Sequence, residues 1–282
     1  MKTCYQNFQT LKFASIAKKP RLFLYIFMVA VVFISAAWTM YDTSRPVVYI
    51  IGDSTVKNGG NEGIWGWGNI IPEYFDTVQL KIENHAIGGR SSRTFLTDGR
   101  WDVIMAKLKP GDYVLMQFGH NDGGALADSS RARGTIKGIG NESREIFNPI
   151  KKKQEVVYTY GWYMRKYITD TKAKGAIPIV CSPVPRNSWK DGKVKRDTAS
   201  YTMWAIQVAQ QEGSFFINLN ELVCNQYDKL GEENVKTMFT TKDNTHTSKE
   251  GATLNAASVV EGIKTLKDCT LAKYVIDSKK AN

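Results

Sequence analysis

The chain has 282 residues, 43% hydrophobic and 23% charged, with 23 glycines and 8 prolines. That composition excludes a disordered chain and a fibrous repeat, and it leaves enough apolar residues for a sizeable core. The formal net charge of +11 favours acidic partners, and no nucleic-acid motif accompanies it, so nucleic acid is not expected as a partner.

Residues 1–41 differ in kind from the rest. Lys2, Lys12, Lys18, Lys19 and Arg21 come with no acidic residue, and Leu22 to Tyr41 then runs without a charge. Twenty residues as a helix reach about 30 Å, enough to span a bilayer. Because the stretch is uniformly apolar rather than one-sided, a buried core helix is disfavoured. A cleavable signal peptide, with Ser35-Ala36-Ala37 before Trp38, and an uncleaved single-helix anchor both fit, and both export the chain beyond Tyr41 to the periplasm or the exterior. Without this segment the net charge is +6, and 241 residues remain, a size that one domain fills. Acidic partners outside the cytoplasm include uronic-acid polysaccharides and anionic membrane surfaces.

Past a linker at 42–46, residues 47–282 are expected to form one domain. Short apolar runs, VVYII (47–51), VQLKIEN (78–84), DYVLMQF (112–118), AIPIVCS (176–182) and SFFINL (214–219), alternate with helical patterns at 101–108, 156–174, 201–213 and 245–266. Thr247 with Glu250 reads as a capping box at the start of the last helix. Strands separated by helices predict a parallel sheet covered on both faces, a three-layer flavodoxin-like α/β sandwich with five strands in the order 2-1-3-4-5. Residues 122–154 read as a long irregular connection, and Lys151 to Lys153 as a solvated face. Cys181, Cys224 and Cys269 are widely spaced and odd in number, which argues against a full disulfide framework, leaves one bridge open and gives no metal or redox pair.

In an open parallel sheet, ligands collect beyond the carboxyl ends of the strands, where the strand order reverses. Ser54 follows the first strand and Asn121 the third, so both face that crevice. A serine nucleophile needs a base, and the chain has only three histidines. His85 and His120 read as hydrogen-bonded loop or core residues. His246 lies three residues after Asp243, a spacing that lets the carboxylate hold one ring nitrogen while the other faces a serine. Taken singly, Gly-Asp-Ser-Thr is a turn or cap, Gly88-Gly89 a loop, Asn121 a turn residue and Asp243-His246 a surface pair. Their order, each at a strand end or beside the last helix, points instead to serine-hydrolase chemistry without a G-x-S-x-G elbow.

Together IIGDSTV, NHAIGGRSS, FGHND and DNTHTSKEGA resemble the blocks of the SGNH, or GDSL-type, hydrolases over residues 47–267. GDSTV, Gly66 to Gly68, GGRSSRTF and GHNDGG further resemble the rhamnogalacturonan acetylesterase branch of carbohydrate esterases. The resemblance implies Ser54 as nucleophile, His246 as base and Asp243 as its orienting partner. It implies an oxyanion hole from the backbone N–H groups of Ser54 and Gly89 and the side chain of Asn121. The match of Gly89-Arg90-Ser91 selects Gly89 from the adjacent pair. The implied activity is O-acetyl removal from an acetylated acidic polysaccharide by a monomer, with no metal or organic cofactor. Xylan acetylesterase and lipolytic esterase activities keep the same site; a non-catalytic carbohydrate-binding protein or an anchored scaffold would not need it. Trp65 and Trp67 are expected to offer rings to sugar, and Arg131, Arg133, Arg186 and Lys190 to reach a carboxylate.

Overall fold

A computed structural model describes residues 45–60 and 63–276. The basic and apolar segment read at 1–41 lies outside the described residues, among which no helix is long and apolar enough to cross a membrane.

The central sheet has five parallel strands, β1 (Val47–Gly52), β2 (Lys81–Asn84), β3 (Tyr113–Gln117), β6 (Ile177–Cys181) and β9 (Phe215–Ile217), in the spatial order β2-β1-β3-β6-β9. Counting sheet strands alone, this is the expected 2-1-3-4-5. The intervening numbers belong to two hairpins outside the sheet, β4 (Ser143–Asn148) with β5 (Lys153–Tyr158) and β7 (Trp189–Lys190) with β8 (Lys193–Val194).

Alternation along a strand sends successive side chains to opposite faces, so a strand covered on both sides must be apolar throughout. In β1, Val48 and Ile50 enter one core with Leu115 and Ile179, while Val47, Tyr49 and Ile51 enter the other with Val114 and Met116. The first core is closed by α1 (Trp67–Ile70), α6 (Leu219–Leu230), α7 (Glu232–Lys236) and α8 (Lys249–Thr265). The second is closed by α2 (Ser92–Thr97), α3 (Arg100–Met105), α4 (Tyr160–Ala173) and α5 (Tyr201–Gln211).

Two expectations are corrected here. The helix read from residue 156 starts at Tyr160, because Val156 to Tyr158 pair with Ser143 to Glu145 in β4 and Thr159 caps the helix by accepting from the Trp162 N–H at 3.0 Å. The stretch 122–154 is therefore not wholly irregular. The last helix is capped by Ser248, not Thr247. The Thr247 hydroxyl is committed elsewhere, donating to the Trp65 carbonyl at 2.8 Å.

Candidate active site

The turn that carries Ser54 forms where β1 runs out. Gly52 is required there, since a Cβ would sit 2.8 Å from the Gln117 carbonyl oxygen of β3. Asp53 turns inward and is fully buried, its Oδ1 accepting from the Thr55 N–H at 2.9 Å and the Thr55 hydroxyl at 2.8 Å. The chain folds back through the Lys57 N–H donating to the Asp53 carbonyl at 3.0 Å. Ser54, between the two inward-facing residues, is left projecting into the cleft.

The partner side chain arrives from the loop before α8. Asp243 organises that loop: its Oδ1 accepts the backbone N–H groups of Thr245 and His246, each at 2.8 Å, and its Oδ2 lies 2.7 Å from His246 Nδ1. Since a carboxylate only accepts, Nδ1 carries the proton and Nε2 presents a lone pair. Nε2 lies 2.9 Å from the Ser54 Oγ. Burial raises the Asp243 carboxyl, but the His246 ring, its backbone N–H and the Thr245 N–H outweigh burial and hold it at about 2. The group therefore stays charged at any pH at which the histidine acts as a base.

Gly89 adopts φ +76°, the left-handed conformation that favours glycine. Among the described residues, the backbone N–H groups of Ser54 and Gly89 donate to no acceptor. Asn121 Nδ2 donates to the Arg90 carbonyl at 2.8 Å, which fixes the amide and leaves its second N–H. Ser54, Gly88, Gly89, Asn121 and His246 all line one cleft of about 650 Å³. The expected nucleophile, base and oxyanion donors are thus brought together, with Asp243 behind the histidine.

A buried polar layer lies beneath. Trp67 Nε1 donates to Gln117 Oε1 at 2.9 Å, and Gln117 Nε2 donates to the Thr55 hydroxyl at 2.7 Å, which in turn donates to Asp53. His120 donates from Nε2 to the Val184 carbonyl at 3.0 Å and turns Nδ1 towards Asp53 Oδ2 at 3.4 Å. Burial raises the Asp53 carboxyl, yet His120 and the Thr55 donors outweigh it and hold the group below its usual range. Asp122 goes the other way. Burial drives it to about 7, the Asp53 charge adds to the rise, and the two donors of Ser92 offset only part.

Of the residues expected to bind substrate, Arg131, Arg133 and Arg186 line the cleft, and Lys190 does not. Trp67 is corrected: it is fully buried in the core, where its indole N–H satisfies Gln117, and it cannot meet a sugar. Trp65 is half-buried and is not part of the cleft wall; its ring lies under Lys249, 5.5 Å from the ammonium, and its backbone pairs with Thr247. Sequence reasoning missed Lys57, Arg90, Asp98 and Lys151 in the cleft wall. Lys151, read as a solvated residue, pairs with Asp98 at 2.8 Å, and Asp98 also holds Arg90 at 3.0 Å. Among the described residues no carboxylate pairs with Lys57, Arg131, Arg133 or Arg186, so the cleft is left cationic. Of the other two histidines, His85 sits 3.0 Å from Glu83, and neither is placed to serve Ser54.

A serine, a histidine and a carboxylate thus stand in one chain of hydrogen bonds at the reversal point of a parallel sheet. The GDSL-like lipase/acylhydrolase family model matches residues 50–254, and the chain belongs to that family as a carboxylic ester hydrolase. It is similar to the rhamnogalacturonan acetylesterase of Emericella nidulans, 32% identical over 217 residues that cover 77% of this chain and 84% of the relative. It is also similar to the probable rhamnogalacturonan acetylesterase YesY of Bacillus subtilis, 33% identical over 228 residues that cover 78% and 93%. The crystal structure of the Bacillus subtilis protein YxiM superposes with a TM-score of 0.64 at 26% identity; the match covers 78% of this chain and 56% of that one.

Proposed function

We propose that the protein is a serine esterase that removes O-acetyl groups from an acidic plant cell-wall polysaccharide, pectic rhamnogalacturonan, through an acetyl-serine intermediate. The observation that carries the reading is the Asp243–His246–Ser54 hydrogen-bonded chain opening onto a cleft whose unpaired charges are all cationic. The names borne by the two curated relatives supply the acetyl group and the polymer. The relatives' substrate and the cationic cleft agree, since a uronate carboxylate is what unpaired guanidinium groups select.

In this mechanism His246 Nε2 takes the Ser54 proton as Oγ attacks the acetyl carbonyl. The Ser54 and Gly89 N–H groups and the Asn121 amide receive the oxyanion, and Asp243 stabilises the imidazolium. The imidazolium then protonates the departing sugar oxygen. Water, activated by the same nitrogen, attacks the acetyl-serine and frees acetate, returning the proton to Ser54. A polymeric substrate fits an exported enzyme, and the apolar segment ending at Tyr41 supplies the route, cleaved or anchored.

The test is acetate release from acetylated pectic and xylan polymers. Ser54→Ala should abolish turnover to within about 10³ to 10⁴ of the uncatalysed rate, and Asn121→Ala should cost about 10² to 10³ in kcat. Wild-type turnover by Ser54→Ala would overturn the chemistry. Equal rates on both polymers would overturn the choice of substrate alone.

A further inference from the structure

Beside the catalytic cleft lies a second cavity of about 490 Å³, and the two share His120 and Arg186 as a common wall. Its volume is in the range that holds a small ligand. Pro183, Pro185 and the ring of Tyr201 form an apolar side, with Tyr201 braced edge-on by Tyr160 at 5.1 Å and Trp204 at 4.9 Å between centroids. Arg186, Lys195, Arg196 and Asp197 also line the cavity. Arg196 is held by Glu221 and Asp228, each at 2.9 Å. Asp197 accepts from Ser200 through Oδ1 and from the Thr202 N–H through Oδ2. The Lys195 side chain has no partner among the described residues. Arg186 commits Nη1 to the Thr245 hydroxyl, next to His246, and straddles the wall between the two cavities.

An aromatic ring and two cations that no carboxylate among the described residues holds, Lys195 and Arg186, share the cavity with one carboxylate, Asp197, whose donors are all neutral. That set takes a pyranose carrying a carboxylate, with C–H groups on the tyrosine, the anion on the cations and a hydroxyl on Asp197. We propose that this cavity is a second sugar subsite, which receives an acidic residue of the same polymer chain whose acetyl group lies at Ser54, with Lys195 and Arg186 reading its carboxylate. The proposal rests on the polysaccharide reading and adds the direction in which the polymer leaves the catalytic cleft.

The experiment compares kcat/KM on acetylated rhamnogalacturonan oligosaccharides of increasing length with kcat/KM on p-nitrophenyl acetate. Wild type should show a rise once the chain is long enough to fill the second cavity. Lys195→Ala should lose about tenfold of that rise relative to the aryl ester, the size of one charge-assisted contact, and Lys195→Arg should restore it. Ser188→Trp, which fills the cavity without removing a charge, should flatten the length dependence in the same way. A rise that survives in both Lys195→Ala and Ser188→Trp would overturn the subsite, as would losses equal on oligosaccharide and aryl ester. If wild type hydrolyses the aryl ester but frees no acetate from any oligosaccharide, the polysaccharide reading itself falls and takes the subsite with it.

Discussion

Asp122 and Asp53 are adjoining buried acids driven in opposite directions, one by the loss of water and its neighbour's charge, the other by a facing histidine. The consequence for Asp122 has a definite sign. Between its ordinary value of 3.8 and about 7, the folded protein holds a proton that the unfolded chain has released. Stability from this group is therefore full below the ordinary value and declines as pH rises through the window. Asp122→Asn keeps an oxygen for Ser92 and has no proton to lose. Thermal unfolding across that window should show wild type falling relative to the variant, whereas parallel curves would mean that the folded carboxyl is already ionised. At this scale the Asp243–His246 contact was legible because a three-residue spacing is a local geometric rule. Trp67 was not legible as core, because its burial depends on Gln117, fifty residues away, and nothing local distinguishes a ring packed inside from one offered to a sugar.

Lys57, Trp65 and Gly66 brace the histidine loop. Gly66 donates to the Lys57 carbonyl at 3.1 Å, Trp65 donates to the Thr247 carbonyl at 3.0 Å, and Thr247 returns a hydroxyl to Trp65. A Cβ on Gly66 would lie 2.4 Å from the Val56 carbonyl carbon and 2.5 Å from the Lys57 oxygen, both backbone atoms that cannot swing away. Gly66→Ala should cost about 1–3 kcal/mol in urea unfolding and lower kcat through displacement of Thr247 and the adjacent His246. Unchanged kcat in a destabilised variant would uncouple the brace from the histidine. The five sheet strands and the helices α3, α4, α5 and α8 were legible from apolar periodicity, whereas α1, α2, α6 and α7 were not read. The β4–β5 hairpin was hidden because Val156, Val157 and Tyr158 continue an apolar pattern straight into α4, and only the Thr159 cap marks the boundary. Asp191-Gly192 was a readable hairpin signal, with φ of 51° and 73° at the turn of β7 and β8.

For the molecule as a whole, the parallel sheet gathers its strand ends on one side, and the cleft there collects Lys57, Arg131, Arg133 and Arg186 from loops far apart in sequence. Burial and then the neighbouring Arg131 pull the Arg133 guanidinium down, and the charges of Asp53, Asp122 and Asp128 offset only part of it. An acidic polymer should be drawn to this side by a field that salt screens, with a Debye length of about 10 Å at 0.1 M. Raising ionic strength should therefore lower kcat/KM on acetylated pectin more than on neutral acetylated xylan, and an equal decline on both would remove charge from the account of specificity. The sheet order was legible because right-handed crossovers leave few topologies. The cationic cleft was legible only in part, since Lys57 and Lys151 carry no local sign that distinguishes them from ordinary surface lysines.

Ser54 and His246 stand 192 residues apart in the chain and 2.9 Å apart in space. A polypeptide emerging from its N-terminal end thus displays Ser54 early and gains His246 only 192 residues later. Until then the serine is an ordinary alcohol. Under the proposed mechanism, esterase activity in a refolding or translating sample times the docking of the loop that carries His246, and a nascent or clipped chain lacking that loop should be chemically silent towards the esters around it.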